Sequence, residues 1–529
     1  MGLLQDYLPS QIVLAVFIGA IVIYAIQRSQ ASALRSLPLP PGPSVTSWLS
    51  GHQSIIPVAQ PWKVYAKWAD KYGPIVHLRV YGQHSIILSS VEHCIEVFEK
   101  RSNLYSDRPR LTMINLMGWD FAASLLPYGS QWRKQRRLFQ QAFKRVSSLS
   151  YRSEQTRKVN DMLYDLLMSP DDFRNHVKTM AAATSLSIAY GYDVKAKDDD
   201  FVDLAEASIS RLSLAVFPGA ALVNAVPVLR YLPQWFPGAG FHKVASETKE
   251  MTTKMKDVPL QWVQKNMQAG NQPKCLVSEK IPACKTDGDL ADLQEFAAMV
   301  YAGEQLVLTV KFNNTHALRS LATTDTTATA LETFFYAMTI CPDAQRKAQQ
   351  ELDAIVGSDR LPNYDDWDSL PYIGALLREV LRWRPVLPLG VAHANTDNDV
   401  FKGCLIPKGS NIIANIWAIS RDGRRYKDPE AFKPERFFDK DGSLNHDNID
   451  YAFGFGRRTP YGPRVPTTLW AFSIAKTRDA SGNEIPINVE YTDGLVSHPH
   501  PHECSITPRS PQTGEIVEEA VAQTRARSS

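Results

Sequence analysis

The sequence predicts a mainly α-helical protein with small β-sheets, held behind an N-terminal transmembrane helix. Three observations predict it. Apolar residues recur at helical spacing over most of residues 91–395. Short strand-like runs punctuated by Gly and Pro gather near each end of the chain. Residues 7–26 carry no charge, and a spanning helix needs about 20 such residues. The 529 residues are 44% hydrophobic and 21% charged, which excludes a disordered or fibrous chain. Lys+Arg 58 against Asp+Glu 55 leaves +3, too small an excess to support a nucleic-acid binder. Six cysteines in so long a chain, none in CxxC spacing, argue against a disulfide scaffold and a zinc knuckle.

The elements follow in order. Residues 12–26 read IVLAVFIGAIVIYAI, with Asp6 before them and Arg28 and Arg35 after. That charge order places the C-terminal bulk in the cytosol. A cleaved signal would start basic and end in a small-x-small site; it and a buried core helix are the competing readings. Residues 27–43 form a linker ending in Leu39-Pro40-Pro41-Gly42-Pro43, stiff because proline fixes φ. One large domain is expected over residues 44–510. Within it, residues 59–72 place Trp62, Tyr65 and Trp68 on one helical face, and Gly73-Pro74 stops that helix. Residues 75–90 read as two strands about Gly82-Gln83, and residues 91–100 turn helical again. Residues 401–413 return to strand around a Pro-Lys-Gly turn. The polar tail, residues 511–529, is expected to fray.

The residues that carry chemistry lie in the second half. Glu379 and Arg382 are three apart in a helical run and share a face. Any amphipathic helix offers such a pair. Pro434-Glu435-Arg436-Phe437 adds a second arginine for the same carboxylate, and a buried Glu with two Arg partners makes a rigid network. Phe453-Gly454-Phe455-Gly456-Arg457-Arg458 is a Gly-rich loop with a basic end, suited to a flat ligand bearing carboxylates. Asp325 and Thr326 open the helical run TATALETFFYAM. They read equally as a proton-handling pair or as a helix start. Trp132 and Arg136 stand four apart on one helical face, a pattern a solvated basic stripe also gives.

Taken in sequence order, these segments resemble a cytochrome P450 of the microsomal type seen in fungal secondary metabolism. The likeness runs from about Pro40 to Pro508. It rests on the anchor and proline hinge, Trp132-x-x-x-Arg136, Ala322-x-x-Asp325-Thr326-Thr327, Glu379-x-x-Arg382, Pro434-Glu435-Arg436-Phe437 and Phe453-x-x-Gly456-x-Arg458. The resemblance implies a helical prism around haem b, acting as an NADPH-dependent monooxygenase. Its electrons would come from NADPH-cytochrome P450 reductase. It implies that Glu379, Arg382 and Arg436 form a structural triad under the haem. Trp132, Arg136, His393 and Arg458 would hold the propionates, with Gly456 and Gly462 in the ligand loop. Asp325 and Thr326 would deliver protons as the catalytic pair. The expected setting is the endoplasmic reticulum membrane, crossed once, with the catalytic domain cytosolic. The expected substrate is an apolar small molecule, lined by Phe121, residues 217–220 and residues 387–391.

Two departures stand out. The family's loop is Phe-x-x-Gly-x-Arg-x-Cys-x-Gly, and here Pro460 holds the position of the axial Cys. Proline offers no ligating atom. The nearest cysteines, Cys404 and Cys504, fall in strand-like segments. The helix that should follow is short by about ten residues, roughly three turns. Second, residues 303–322 interrupt what should be one long helix. Gly303-Glu304-Gln305 can be encoded with an intron donor and Leu321-Ala322 with an acceptor. Joined, their outer bases make one Ala codon, so a retained intron is expected; a surface loop is the alternative. Asn313-Asn314-Thr315 inside it matches a glycosylation acceptor that a cytosolic site would leave unused. The run from His498 to His502 is alternating His-Pro, and its prolines argue against a metal site. Two functions therefore stand side by side. One is an oxidase; the other is a catalytically dead P450-like pseudoenzyme, because of Pro460.

Overall fold

The computed structural model describes residues 36–143, 151–195, 199–216, 222–302, 324–455 and 464–526. The expected anchor, the 303–322 insert with Asn313, residues 217–220, and the loop carrying Gly456, Arg458, Pro460 and Gly462 lie outside these residues. Among the described residues no helix is long and apolar enough to cross a membrane.

The first helix, α1 (Pro61–Tyr72), buries Trp62 and Tyr65 and packs Trp68 partly against the same cluster. Pro61 starts it, and Gly73 closes it at φ 101°, its N–H bonding the Ala69 carbonyl. Strands β1 (Ile75–Val80) and β2 (Gln83–Leu88) then form an antiparallel hairpin. Its turn residues are Tyr81 and Gly82, at φ 46° and 83°, one residue earlier than the sequence suggested. Paired positive φ values match the twist of the strands, and glycine takes one of them without strain. The described end of the proline hinge lies on this hairpin. The His77 N–H donates to the Pro41 carbonyl at 2.9 Å, and a Cβ on Gly42 would run into the His77 carbonyl.

The helical body is built around α2 (Ser130–Ala142), α3 (Arg152–Met168), α4 (Phe173–Tyr190), α5 (Asp200–Val216) and α6 (Phe241–Gln268). With them pack α7 (Asp287–Tyr301), α8 (Thr324–Ile340), α9 (Pro342–Ile355) and α10 (Pro371–Trp383). Helix α4 is the axis of the body. Every residue from Met180 to Tyr190 is buried, because small and apolar side chains surround it on all sides. Both α7 and α8 pack against it. Helix α10 begins at Pro371, and Glu351 accepts the exposed N–H groups of Tyr372 and Ile373 at 2.7 and 2.9 Å. That carboxylate satisfies donors that a helix start otherwise leaves open.

The second half adds β3 (His393–Ala394), β4 (Asp399–Phe401), β5 (Cys404–Ile406) and β6 (Asn411–Ala414). Strand β6 runs parallel to β2 and β3 antiparallel to β6, giving one sheet in the order β1-β2-β6-β3. A helix, α11 (Arg464–Ala471), leads directly into β7 (Phe472–Ala475), which pairs with β8 (Ser505–Pro508). All six cysteines are free.

The C-terminal tail corrects the expectation of fraying. Residues of α12 (Gln512–Ala526) dock on α3 with Thr513, Val517 and Val521 buried. The Asn160 side chain donates to the Ala520 carbonyl at 3.3 Å, and Arg525 meets Asp161 at 3.1 Å. The three buried residues recur every four positions, a helical stripe that the polar average of the segment conceals.

Candidate functional site

Helix α10 and the turn Pro434–Phe437 position the arginine–carboxylate cluster. Glu379 and Arg382 face inward one turn apart, and both side chains are fully buried. Glu379 accepts from Arg382 Nε and Nη2 at 2.7 and 2.8 Å, and from Arg436 Nε at 3.1 Å. The Lys433 N–H adds a fourth donor at 2.7 Å. Arg382 also donates to the carbonyls of Ser420 and Pro429 at 2.9 and 2.8 Å. Every lone pair and N–H of consequence finds a partner, which a buried ion pair needs in order not to destabilise. The structure thus joins all three residues of the expected triad and ties α10 to residues 420–436.

On the anion-binding side, Trp132 and Arg136 share a face of α2. The Arg136 guanidinium lies 5.0 Å from the Trp132 ring centre, a cation–π distance. Burial holds that guanidinium below its ordinary basicity, against a smaller opposing effect of Tyr128. His393 stands in β3, and its Nδ1 bonds the Tyr105 carbonyl at 2.8 Å. Nδ1 is therefore the donor, and Nε2 of the neutral ring is an acceptor. Burial and the nearby Arg108 push its basicity well down. To donate to a propionate through Nε2 it must first take up a proton. A carboxylate arriving there favours that uptake.

Arg108 is the residue the sequence reading missed. Its side chain is buried, with Nη1 on the carbonyls of Val391 and Ala392 at 3.1 and 2.8 Å. Burial lowers it to about 10. Asp107 favours its charge from nearby, but the hydrogen bonds of its guanidinium go to carbonyls, so a weakly compensated buried cation faces the same neighbourhood as His393. Such a group calls for an anion. The signal in the sequence was Asp107-Arg108-Pro109, where proline forces the arginine into extended backbone.

Asp325 sits in the first turn of α8, its carboxylate 3.1 Å from His498 Nε2. Thr326 follows, half-buried. Of the expected lining, Phe121 is fully buried against Trp119, with ring centres 5.4 Å apart, so it serves the core. Leu387 and Leu389 are buried as well. Among the described residues no group of three or more His, Cys, Asp or Glu could hold a metal ion, and that includes the His-Pro run.

The cations and aromatics fit the propionate side of a haem. The axial side does not fit. Position 460 is proline, and a thiolate must come from a cysteine. Burial raises the Cys341 thiol to about 11 and the Cys504 thiol to about 12, and lifts Cys94 well above its ordinary value. Groups held as neutral thiols are poor ligands.

The family model described as Cytochrome P450 matches residues 40–465. Cytochrome P450 monooxygenase 208 of Postia placenta is 38% identical, covering 95% of this chain and 96% of its own. Cytochrome P450 monooxygenase claR of Ampulloclitocybe clavipes is 35% identical, covering 95% and 92%. Tryptamine 4-monooxygenase of Psilocybe cyanescens is 33% identical, covering 94% and 98%.

Proposed function

Because the chain belongs to the cytochrome P450 family, we propose that it stems from a haem-thiolate monooxygenase that inserts one oxygen atom from O2 into an apolar small molecule. The family's enzymes are oxidoreductases and its cofactor is haem. The observation that carries the finer reading is the likeness to monooxygenases over nearly the whole chain. The buried Glu379–Arg382–Arg436 cluster supports it, because it needs the ordered motifs to meet in space. Secondary metabolism or xenobiotic oxidation is the proposed context. NADPH-cytochrome P450 reductase is the proposed electron donor.

We place the enzyme on the endoplasmic reticulum membrane, anchored by residues 7–26 with its domain in the cytosol. The uncharged N-terminal run supports this. So do exposed apolar side chains just after it: Trp48 is 87% and Val58 97% exposed. Trp235, 80% exposed beside the exposed Tyr231 and Phe236, adds a second apolar surface. Large apolar side chains in water mark surfaces that meet a membrane or a partner.

When bound, haem would supply the oxygen-activating chemistry. Arg108, Arg136 and His393 would hold its carboxylates, Trp132 would pack beside Arg136, and Asp325 and Thr326 would hold the proton. Pro460 supplies no thiolate, so the polypeptide with proline there is inactive as an oxidase. Pro460 alone favours a pseudoenzyme, and the monooxygenase relatives lend it no support. Sequencing the transcript across residues 295–330 and 450–480 tests the reading. Reads that join Ala302 to Thr323 through one Ala and place Cys at position 460 are expected. Reads that reproduce Pro460 and the 303–322 segment would overturn it.

A further inference from the structure

We infer that His498 is a positioning residue for Asp325. Held as an imidazolium between the Asp325 carboxylate and the Thr329 hydroxyl, it fixes that carboxylate and fastens residues 492–500 to α8.

The hydrogen bonds assign the charge. Thr329 Oγ1 lies 2.8 Å from the Asp325 carbonyl and 2.9 Å from His498 Nδ1. A hydroxyl has one hydrogen, and the carbonyl can only accept it. Thr329 Oγ1 therefore accepts from His498, and Nδ1 is a donor. On the other side of the ring, Nε2 meets Asp325 Oδ1 at 3.1 Å. A carboxylate accepts, so Nε2 donates too. Both nitrogens carry hydrogen only in the charged ring. A neutral ring of either tautomer forfeits one of the two bonds.

The loop that carries the ring is closed on itself. The His498 N–H donates to Thr492 Oγ1 at 2.9 Å, and the Thr492 N–H returns to the His498 carbonyl at 2.8 Å. The Ser497 N–H donates to the Val386 carbonyl at 2.9 Å, beyond the end of α10. The imidazole is thus presented from a fixed backbone. On α8, Asp325, Thr329 and Glu332 lie within two turns. Glu332 is fully buried, with Arg174 of α4 at 3.2 Å from its Oε2. Arg174 also donates to the Pro499 carbonyl at 3.2 Å.

The charges around the ring agree with the hydrogen bonds. Burial opposes the charged form and Lys178 of α4 opposes it further. Asp325, by hydrogen bond and charge, and Glu332, by charge, favour it, and the balance lies above the ordinary histidine value. The sign follows: the clasp is complete at acid pH and loosens as pH rises through that raised value. What the clasp does for chemistry rests on the reading of Asp325 as the proton-handling residue.

The test uses the full chain in detergent with 13Cε1-labelled histidine. His498→Gln identifies its signal among the 12 histidines. The expected midpoint lies above about 6.5. Asp325→Asn is expected to lower it by about 1 pH unit, and Thr329→Val to lower it by less. A midpoint at or below about 6.5, or one that neither variant moves, would overturn the inference. The reading of Asp325 fails separately. In the Pro460→Cys chain with haem bound, product per NADPH unchanged by Asp325→Asn would remove it while the titration still establishes the clasp.

Discussion

Replacing Glu379 by glutamine tests the central cluster at one atom. The change keeps volume and removes charge. Glu379 now takes two N–H groups from Arg382, one from Arg436 and one from the Lys433 backbone. A glutamine oxygen can keep part of that set. Its NH2 group must then face an arginine donor at about the present 2.7–2.8 Å, where no acceptor exists. Arg382 stays fully buried with its charge uncompensated. Breaking one side of a buried pair costs about 3–5 kcal/mol, against a total stability of about 5–15 kcal/mol. With a urea slope of about 3 kcal/mol/M, the midpoint falls by about 1–1.7 M. Fluorescence of the 11 tryptophans reports the unfolding. Arg436→Gln should cost less, because Arg436 keeps 10% of its side chain in water. A Glu379→Gln loss below about 1 kcal/mol, the worth of a surface pair, would refute the assignment of this cluster as a buried structural network.

Other outcomes are equally specific. The reduced carbon monoxide complex of the chain should lack a thiolate-type spectrum and Pro460→Cys should gain it; a thiolate-type spectrum with Pro460 in place would refute the account of the axial position. His77 is held down to about 4, first by burial and then by His84, His52 and Arg79. The folded chain therefore resists a proton that the unfolded chain accepts at 6.5, and stability should fall by about 2–3 kcal/mol as pH drops from 7 to 4. His77→Phe should flatten that slope in pH-resolved urea midpoints. Val517→Ala in α12 should cost about 1–3 kcal/mol by thermal or urea unfolding, whereas a frayed tail would show no change.

How much of this was legible depended on whether a residue's partners lay close in sequence or pattern. The Glu379–Arg382 pair was readable because one helical turn fixes it. Arg436 was readable only through the family's order, since nothing local ties it to a carboxylate 57 positions away. The hairpin was visible, but its turn slipped by one residue, because Tyr81 takes the positive φ that Gly-rich reasoning would give to glycine. Arg108 was invisible because its burial comes from β3 and the residues around Val391, far along the chain. Asp325 was read with two meanings; the structure places it in a helix's first turn, 3.1 Å from His498. That partner is a histidine in a run read only for metals.

The fold and the iron ligand are separable in this chain. None of the contacts that hold α10 to residues 420–436, or His393 to residue 105, passes through position 460. Helix α11 still enters β7, and β7 still pairs with β8 around buried Phe472 and Ile474. Gln345 of α9 braces that junction, donating to the Ile474 carbonyl at 2.7 Å and accepting its N–H at 2.8 Å. The junction before β7 holds because the strand's anchors lie on α9 and β8. Stability and ligation therefore answer to different residues. A variant that places Cys at position 460 should leave the urea-unfolding free energy of the haem-free chain within about 0.5 kcal/mol of its parent. A larger shift would mean that the loop around position 460 contributes to the fold itself.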